Sequence, residues 1–149
     1  MRLFQLATGA AFATSLIAQI AFMTAAAASP IPMDNPISIG GIDTVCTGIG
    51  DEAQHDPRWA AYNSRIEFSN GGQQYISGAH VTLEQGGKTL AALDCSGPWV
   101  LFKLSPGKYK VTATITGQPE AGTKAVTISP PAHGQKRFII AFPGVDPNK

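Results

Sequence analysis

Trp99-Val100-Leu101-Phe102-Lys103-Leu104-Ser105-Pro106-Gly107-Lys108-Tyr109-Lys110-Val111-Thr112-Ala113 decides the fold class of this 149-residue chain. It reads as strand, tight turn, strand. Pro106 presets φ for a turn and Gly107 accepts a positive φ. Beyond the turn, Tyr109, Val111, Ala113 and Ile115 alternate with Lys108, Lys110, Thr112 and Thr114. That is a period of two, with one apolar and one wet face.

Working outward, the same grammar recurs. In Arg65 to Ser69, Ile66 and Phe68 share one face and Arg65 and Glu67 the other. Asn70-Gly71-Gly72 signals a turn, and Tyr75-Ile76 is a short extended piece. Val81 to Gln85 and Lys88 to Cys95 flank Gly86-Gly87, a two-residue hairpin loop. Lys124 to Ile128 and Lys136 to Phe142 supply the last strands. Upstream, Ile37 to Val45 reads as one strand with a bulge at Gly40-Gly41. Asp56 to Asn63 reads as a short helix before the second strand, with Asp56 as N-cap and Pro57 at the first helical position. Seven to nine short strands separated by Gly and Pro turns predict an all-β, Greek-key β-sandwich.

The first 28 residues follow another rule. One positive charge at Arg2 precedes an uncharged run rich in Ala, Leu, Ile and Phe, ending in Ala25-Ala26-Ala27-Ala28-Ser29-Pro30. This predicts a secretory signal peptide cut after Ala28. The competing reading is an uncleaved membrane anchor, since the run is long enough to span a bilayer. Cleavage leaves an extended lead-in over residues 29–36, a sandwich over 37–142 and a loose tail over 143–149. The expected address is secreted or periplasmic, with no membrane insertion after cleavage. Without Arg2, ten Lys and Arg balance ten Asp and Glu, so no long-range field draws nucleic acid. Cys46 and Cys95, an even count in an exported chain, predict one disulfide. Closing a loop of that length restricts the unfolded chain by about 4 kcal/mol in the entropy model. Trp99, close to Cys95, is expected to shield the bridge.

Three segments together carry a resemblance. They are Gly78-Ala79-His80-Val81-Thr82-Leu83, Gly87-Lys88-Thr89, and Leu104-Ser105-Pro106-Gly107-Lys108-Tyr109-Lys110-Val111-Thr112-Ala113. They resemble a carboxypeptidase regulatory-like domain across about residues 66–142. The resemblance implies a transthyretin-like (prealbumin-like) sandwich of seven strands and a non-catalytic module. The L-x-P-G-x-Y element is read as a hairpin device, with Leu104 and Tyr109 on its core side. Residues 45–50 and 56–62 are similar to an addition found in small exported bacterial members.

No catalytic grouping emerges. His55, His80 and His133 lack metal-ligand spacing, so no metal ligands and no cofactor are assigned. No G-x-S-x-G is present. The transthyretin-like fold also hosts hydroxyisourate hydrolase, but that family's C-terminal Tyr-Arg-Gly-Ser is missing. The chain ends Phe142-Pro143-Gly144-Val145-Asp146-Pro147-Asn148-Lys149. The expectation is an exported, non-enzymatic module that binds a protein or an envelope glycan. Its alternatives are a hydrolase with a site in an oligomer channel and a periplasmic metal-binding protein. The expected binding surface is Arg58, Trp59 and Tyr62, with Tyr75 beside them, because these residue types dominate interface hot spots. The competing reading has Trp59 plugging one end of the sandwich.

Overall fold

The structure, a computed structural model, describes residues 27–148. The signal-peptide reading of residues 1–28 therefore falls almost wholly outside the described residues. Ten strands follow one another: β1 (Ser29–Pro30), β2 (Ile37–Ile39), β3 (Ile42–Thr47), β4 (Ser64–Ser69), β5 (Ala79–Gln85), β6 (Lys88–Cys95), β7 (Trp99–Phe102), β8 (Tyr109–Ile115), β9 (Lys124–Ile128) and β10 (Lys136–Ala141). They form two five-stranded sheets. Sheet A has the order β1-β6-β5-β8-β9 and sheet B the order β10-β4-β7-β3-β2. The chain is thus an all-β sandwich, as its turn spacing predicts. β4, β5, β6 and β7 follow in sequence, and β7 returns to lie antiparallel beside β4. That is a Greek-key relation spread over two sheets.

The core lies between the sheets. Val81, Leu83, Leu93, Val111 and Ile115 from sheet A meet Ile66, Phe68, Val100, Phe102 and Ile140 from sheet B. The predicted disulfide joins Cys46 of β3 to Cys95 of β6, so it ties one sheet to the other.

The central turn corrects the hairpin reading. β7 and β8 belong to different sheets, so Pro106-Gly107 carries the chain across the sandwich. A hairpin and a crossing share the same turn residues and alternation, and the sequence signal does not separate them. Leu104 and Tyr109 are both buried, as expected. The Tyr109 hydroxyl donates to the Ser105 carbonyl at 2.9 Å, closing the corner. The Asn63 side chain donates to Leu104 O at 2.7 Å and accepts from Leu104 N at 3.0 Å, clasping the start of the crossing.

Ile37 to Thr47 is a hairpin and not one bulged strand. Gly40 and Gly41 take φ of 59° and 81° and form its two-residue turn. A Cβ on Gly40 would come 2.3 Å from the Leu90 carbonyl oxygen, so the turn sits hard against β6. Two helical turns follow β3 where one was expected. They are α1 (Gly50–Gln54), ahead of the expected helix, and a 3₁₀ turn (Pro57–Ala61) at its place. Both come after three strands, because the lead-in and the glycine turn each add one.

The lead-in is extended but stitched down. β1 pairs in parallel with Leu93 and Asp94, and Ile31 is buried. Met33 bridges to Cys46, and its Sδ lies 3.2 Å from Cys46 Sγ. Met33, not the Trp99 ring, therefore covers the disulfide. In β7, Val100 faces inward opposite Cys46, which turns Trp99 to the outer face of sheet B. The tail is also anchored: Val145 is buried, and Gln118 Nε2 donates to Asp146 O at 3.1 Å.

Candidate functional site

The outer face of sheet B collects the residues named from sequence. Strand alternation points Val45, Thr47, Arg65, Glu67, Trp99, Leu101, Arg137 and Ile139 away from the core. Residues 50–62 fold over part of that face. Asp56 caps the 3₁₀ turn, its Oδ1 accepting from Arg58 N at 2.9 Å, and Pro57 opens it, as the sequence predicts. Trp59 Nε1 donates to Ala53 O at 2.7 Å, so α1 positions the indole. Gln135 Nε2 donates to the carbonyls of both Trp59 and Tyr62, at 2.8 and 2.9 Å. Trp59 and Tyr62 then pack edge to face on Val45 and Leu101 as a second small core.

That packing corrects the expectation of an open aromatic surface. Trp59 is 5% exposed and Tyr62 7%. Their rings fix the local fold and offer little area to a partner. Arg58 stays exposed. Its guanidinium lies 4.6 Å from the Trp59 ring centroid and pairs with Asp56 at 2.6 Å. The hydrogen bond from Arg58 holds the Asp56 carboxyl below its usual value, and Asp56 raises Arg58 in turn. Burial pushes the Tyr62 phenol up.

Two residues before Leu101 in β7, the same face holds a second arrangement. The Arg65 guanidinium stacks 4.5 Å above the Trp99 ring. A Cβ on Gly48, at φ 100°, would fall 2.7 Å from Trp99 ring atoms, so only glycine lets that indole lie flat. Tyr75 meets Trp99 edge to face at 5.7 Å. Glu67, opposite Trp99, is 1% exposed and pairs with Arg65 at 2.9 Å and with Arg137 Nε at 2.5 Å. Here a buried carboxylate is paired with two cations, and only the Arg137 contact is a hydrogen bond; Glu67 Oε1 and Arg65 Nε face each other without one.

Beside this network lies a cleft of about 250 Å³, lined by Ser69, Gly72, Gln73, Gln74, Tyr75, Arg137 and Ile139. Tyr75 is 36% exposed and Ile139 48%, two of the three large apolar side chains that are exposed rather than partly buried among the described residues. Of the four expected surface residues, then, Tyr75 borders the cleft, Arg58 is exposed at the 3₁₀ turn, and Trp59 and Tyr62 are interior. Glu67, Arg137 and Ile139 were not singled out from sequence. The available signal was the run Phe138-Ile139-Ile140, which breaks alternation and puts one isoleucine on the outer face.

The histidines stay dispersed. His55 Nδ1 lies 2.8 Å from Asp51 O, and His80 Nδ1 lies 2.8 Å from Asp94 Oδ1 on the outer face of sheet A. Among the described residues, no three His, Cys, Asp or Glu side chains are grouped to hold a metal ion. No helix of the described residues is long and apolar enough to cross a membrane.

Neither a family model nor a curated protein matches the chain. Among solved structures it is similar to the 5-hydroxyisourate hydrolase of Klebsiella pneumoniae, with a TM-score of 0.41 and 22% identity, over 57% of this chain and 89% of that chain. A likeness this distant says nothing about activity.

Proposed function

We propose that this chain is an exported, non-catalytic β-sandwich module that binds a protein or an envelope component through the outer face of sheet B. The observation that carries the reading is that Tyr75 and Ile139, both exposed, line one cleft together with Arg137, the outermost member of the ion-pair network. Exposed aromatic and aliphatic side chains gathered at a concave spot are the usual mark of a contact site. The leader-like first 28 residues and the buried disulfide support export to an oxidising compartment. The transthyretin-like, regulatory-domain resemblance agrees with a module that serves by contact.

The test is a crosslinked pull-down of the mature, oxidised protein from its own envelope fraction. Tyr75→Ala with Ile139→Ser is expected to lose the captured component. Thr82→Ala with Thr112→Ala, on the outer face of sheet A, is expected to keep it. Equal capture by both double variants would refute the assignment to sheet B.

A further inference from the structure

Arg137 is held in a way that leaves one of its edges free. Its Nε is engaged by Glu67. Its two terminal nitrogens make no hydrogen bond to another described residue, its side chain is half exposed, and it lines the cleft. Glu67 is itself ion-paired with Arg65, which is stacked on Trp99, which in turn meets Tyr75 edge to face. One continuous chain of contacts therefore orients both the free guanidinium edge and the phenol ring at the cleft. Held side chains lose little further freedom when a ligand arrives.

The chemistry of the opening is specific. Two parallel N–H groups on a planar fork match two oxygens side by side, as in a carboxylate. Two arginines against one glutamate leave the network one positive charge, suited to a monoanion. Tyr75 and Ile139 supply apolar walls, and Ser69 and Gln73 supply neutral polar groups for hydroxyls. At about 250 Å³ the cleft lies below the ~300–1,000 Å³ of pockets for drug-sized ligands. It has room for one ring-sized unit of a longer chain.

We propose that this cleft binds the carboxylate of an acidic sugar, a uronic-acid unit of an envelope polysaccharide, with Arg137 as the carboxylate-reading residue. The inference rests on the binding-module reading above and names its ligand class.

The experiment is affinity electrophoresis of the mature, oxidised protein through gels containing polygalacturonate, with neutral dextran gels in parallel. The parent is expected to be retarded by polygalacturonate and not by dextran. Arg137→Gln is expected to weaken retardation at least tenfold. Lys110→Gln, which removes the same charge from the outer face of sheet A, is expected to leave it unchanged. Arg137→Lys keeps a cation for Glu67 but loses the fork, so it is expected to stay folded and still bind weakly; it stands in if Arg137→Gln unfolds. Free galacturonate is expected to displace the protein at concentrations where acetate does not.

No retardation of the parent, equal losses in Lys110→Gln and Arg137→Gln, undiminished binding by Arg137→Lys, or equal competition by acetate would each overturn the proposal. An envelope component captured through Tyr75 and Ile139 and kept by Arg137→Gln would overturn the uronate assignment alone. That outcome would leave the sheet B face standing, with a protein as its partner.

Discussion

The two outer faces of this sandwich obey different rules. On sheet A, the strands β5 and β8 bury every second residue, and His80, Thr82, Lys110, Thr112 and Thr114 meet solvent at least in part. On sheet B, all four residues of β7 are buried, and so are the last four of both β3 and β4. The difference comes from what lies above each face. Among the described residues no segment covers the outer face of β5 and β8, whereas residues 50–62 and Tyr75 fold over sheet B and turn its outer side chains into a second interior. A strand covered on both faces loses its alternation. The face that looks most like core in sequence is therefore the one that carries shaped features: two arginine–indole stacks, a buried glutamate and a cleft.

If that contrast is correct, Trp99→Ala behaves as a core truncation although Trp99 points away from the core. It is expected to cost about 3–5 kcal/mol in urea unfolding, the range for large buried aromatics. Next in size is Glu67→Gln, which leaves Arg65 and Arg137 without their anion. Breaking a fully buried pair costs about 3–5 kcal/mol; both arginines reach solvent here, so a loss of about 2 kcal/mol is expected from the same unfolding curves. Tyr109→Phe tests the joint between the faces by removing one partly buried hydrogen bond to Ser105, and is expected to cost about 1 kcal/mol. Thr112→Ala, on the uncovered face, is expected to stay within about 0.5 kcal/mol of the parent. A large loss there would erase the distinction between the sheets.

The smallest effect is electrostatic. Arg58 depresses the Asp56 carboxyl in the folded state. A depressed carboxyl stabilises above its unfolded value, about 3.9, and that contribution is lost as pH falls through the folded value. Asp56→Asn is therefore expected to narrow the difference from the parent only below about pH 4, in thermal melts taken between pH 2 and pH 7. The pair is solvent-exposed, so the change is expected to be slight.

What the sequence made legible follows the same division. Lys88 to Cys95 has in the structure the bounds its sequence implies, and Gly86-Gly87 forms the implied hairpin turn, because the inner halves of β5 and β6 alternate. The Pro106-Gly107 crossing was not legible. Turn chemistry specifies a reversal locally, while the choice of partner strand is settled by distant packing. Gly40-Gly41 passed for a bulge because the strand before it has only three residues. The anchoring of Ile31 and Met33 left no periodic trace, since it rests on a two-residue strand, a single bridge and one sulfur contact. At the site, Tyr75 was named because aromatic residues stand out by type. Glu67 reads as an ordinary wet-face charge, since its burial depends on Arg137, 70 residues away.

The most direct test of the two-face account is an amide chemical-shift map of the mature, oxidised protein titrated with solubilised material from its own envelope. The account predicts shifts clustered at residues 67–76 and 136–141, with β5 and β8 unmoved. Shifts centred on His80, Thr82, Thr112 and Thr114, with Tyr75 and Ile139 silent, would contradict it.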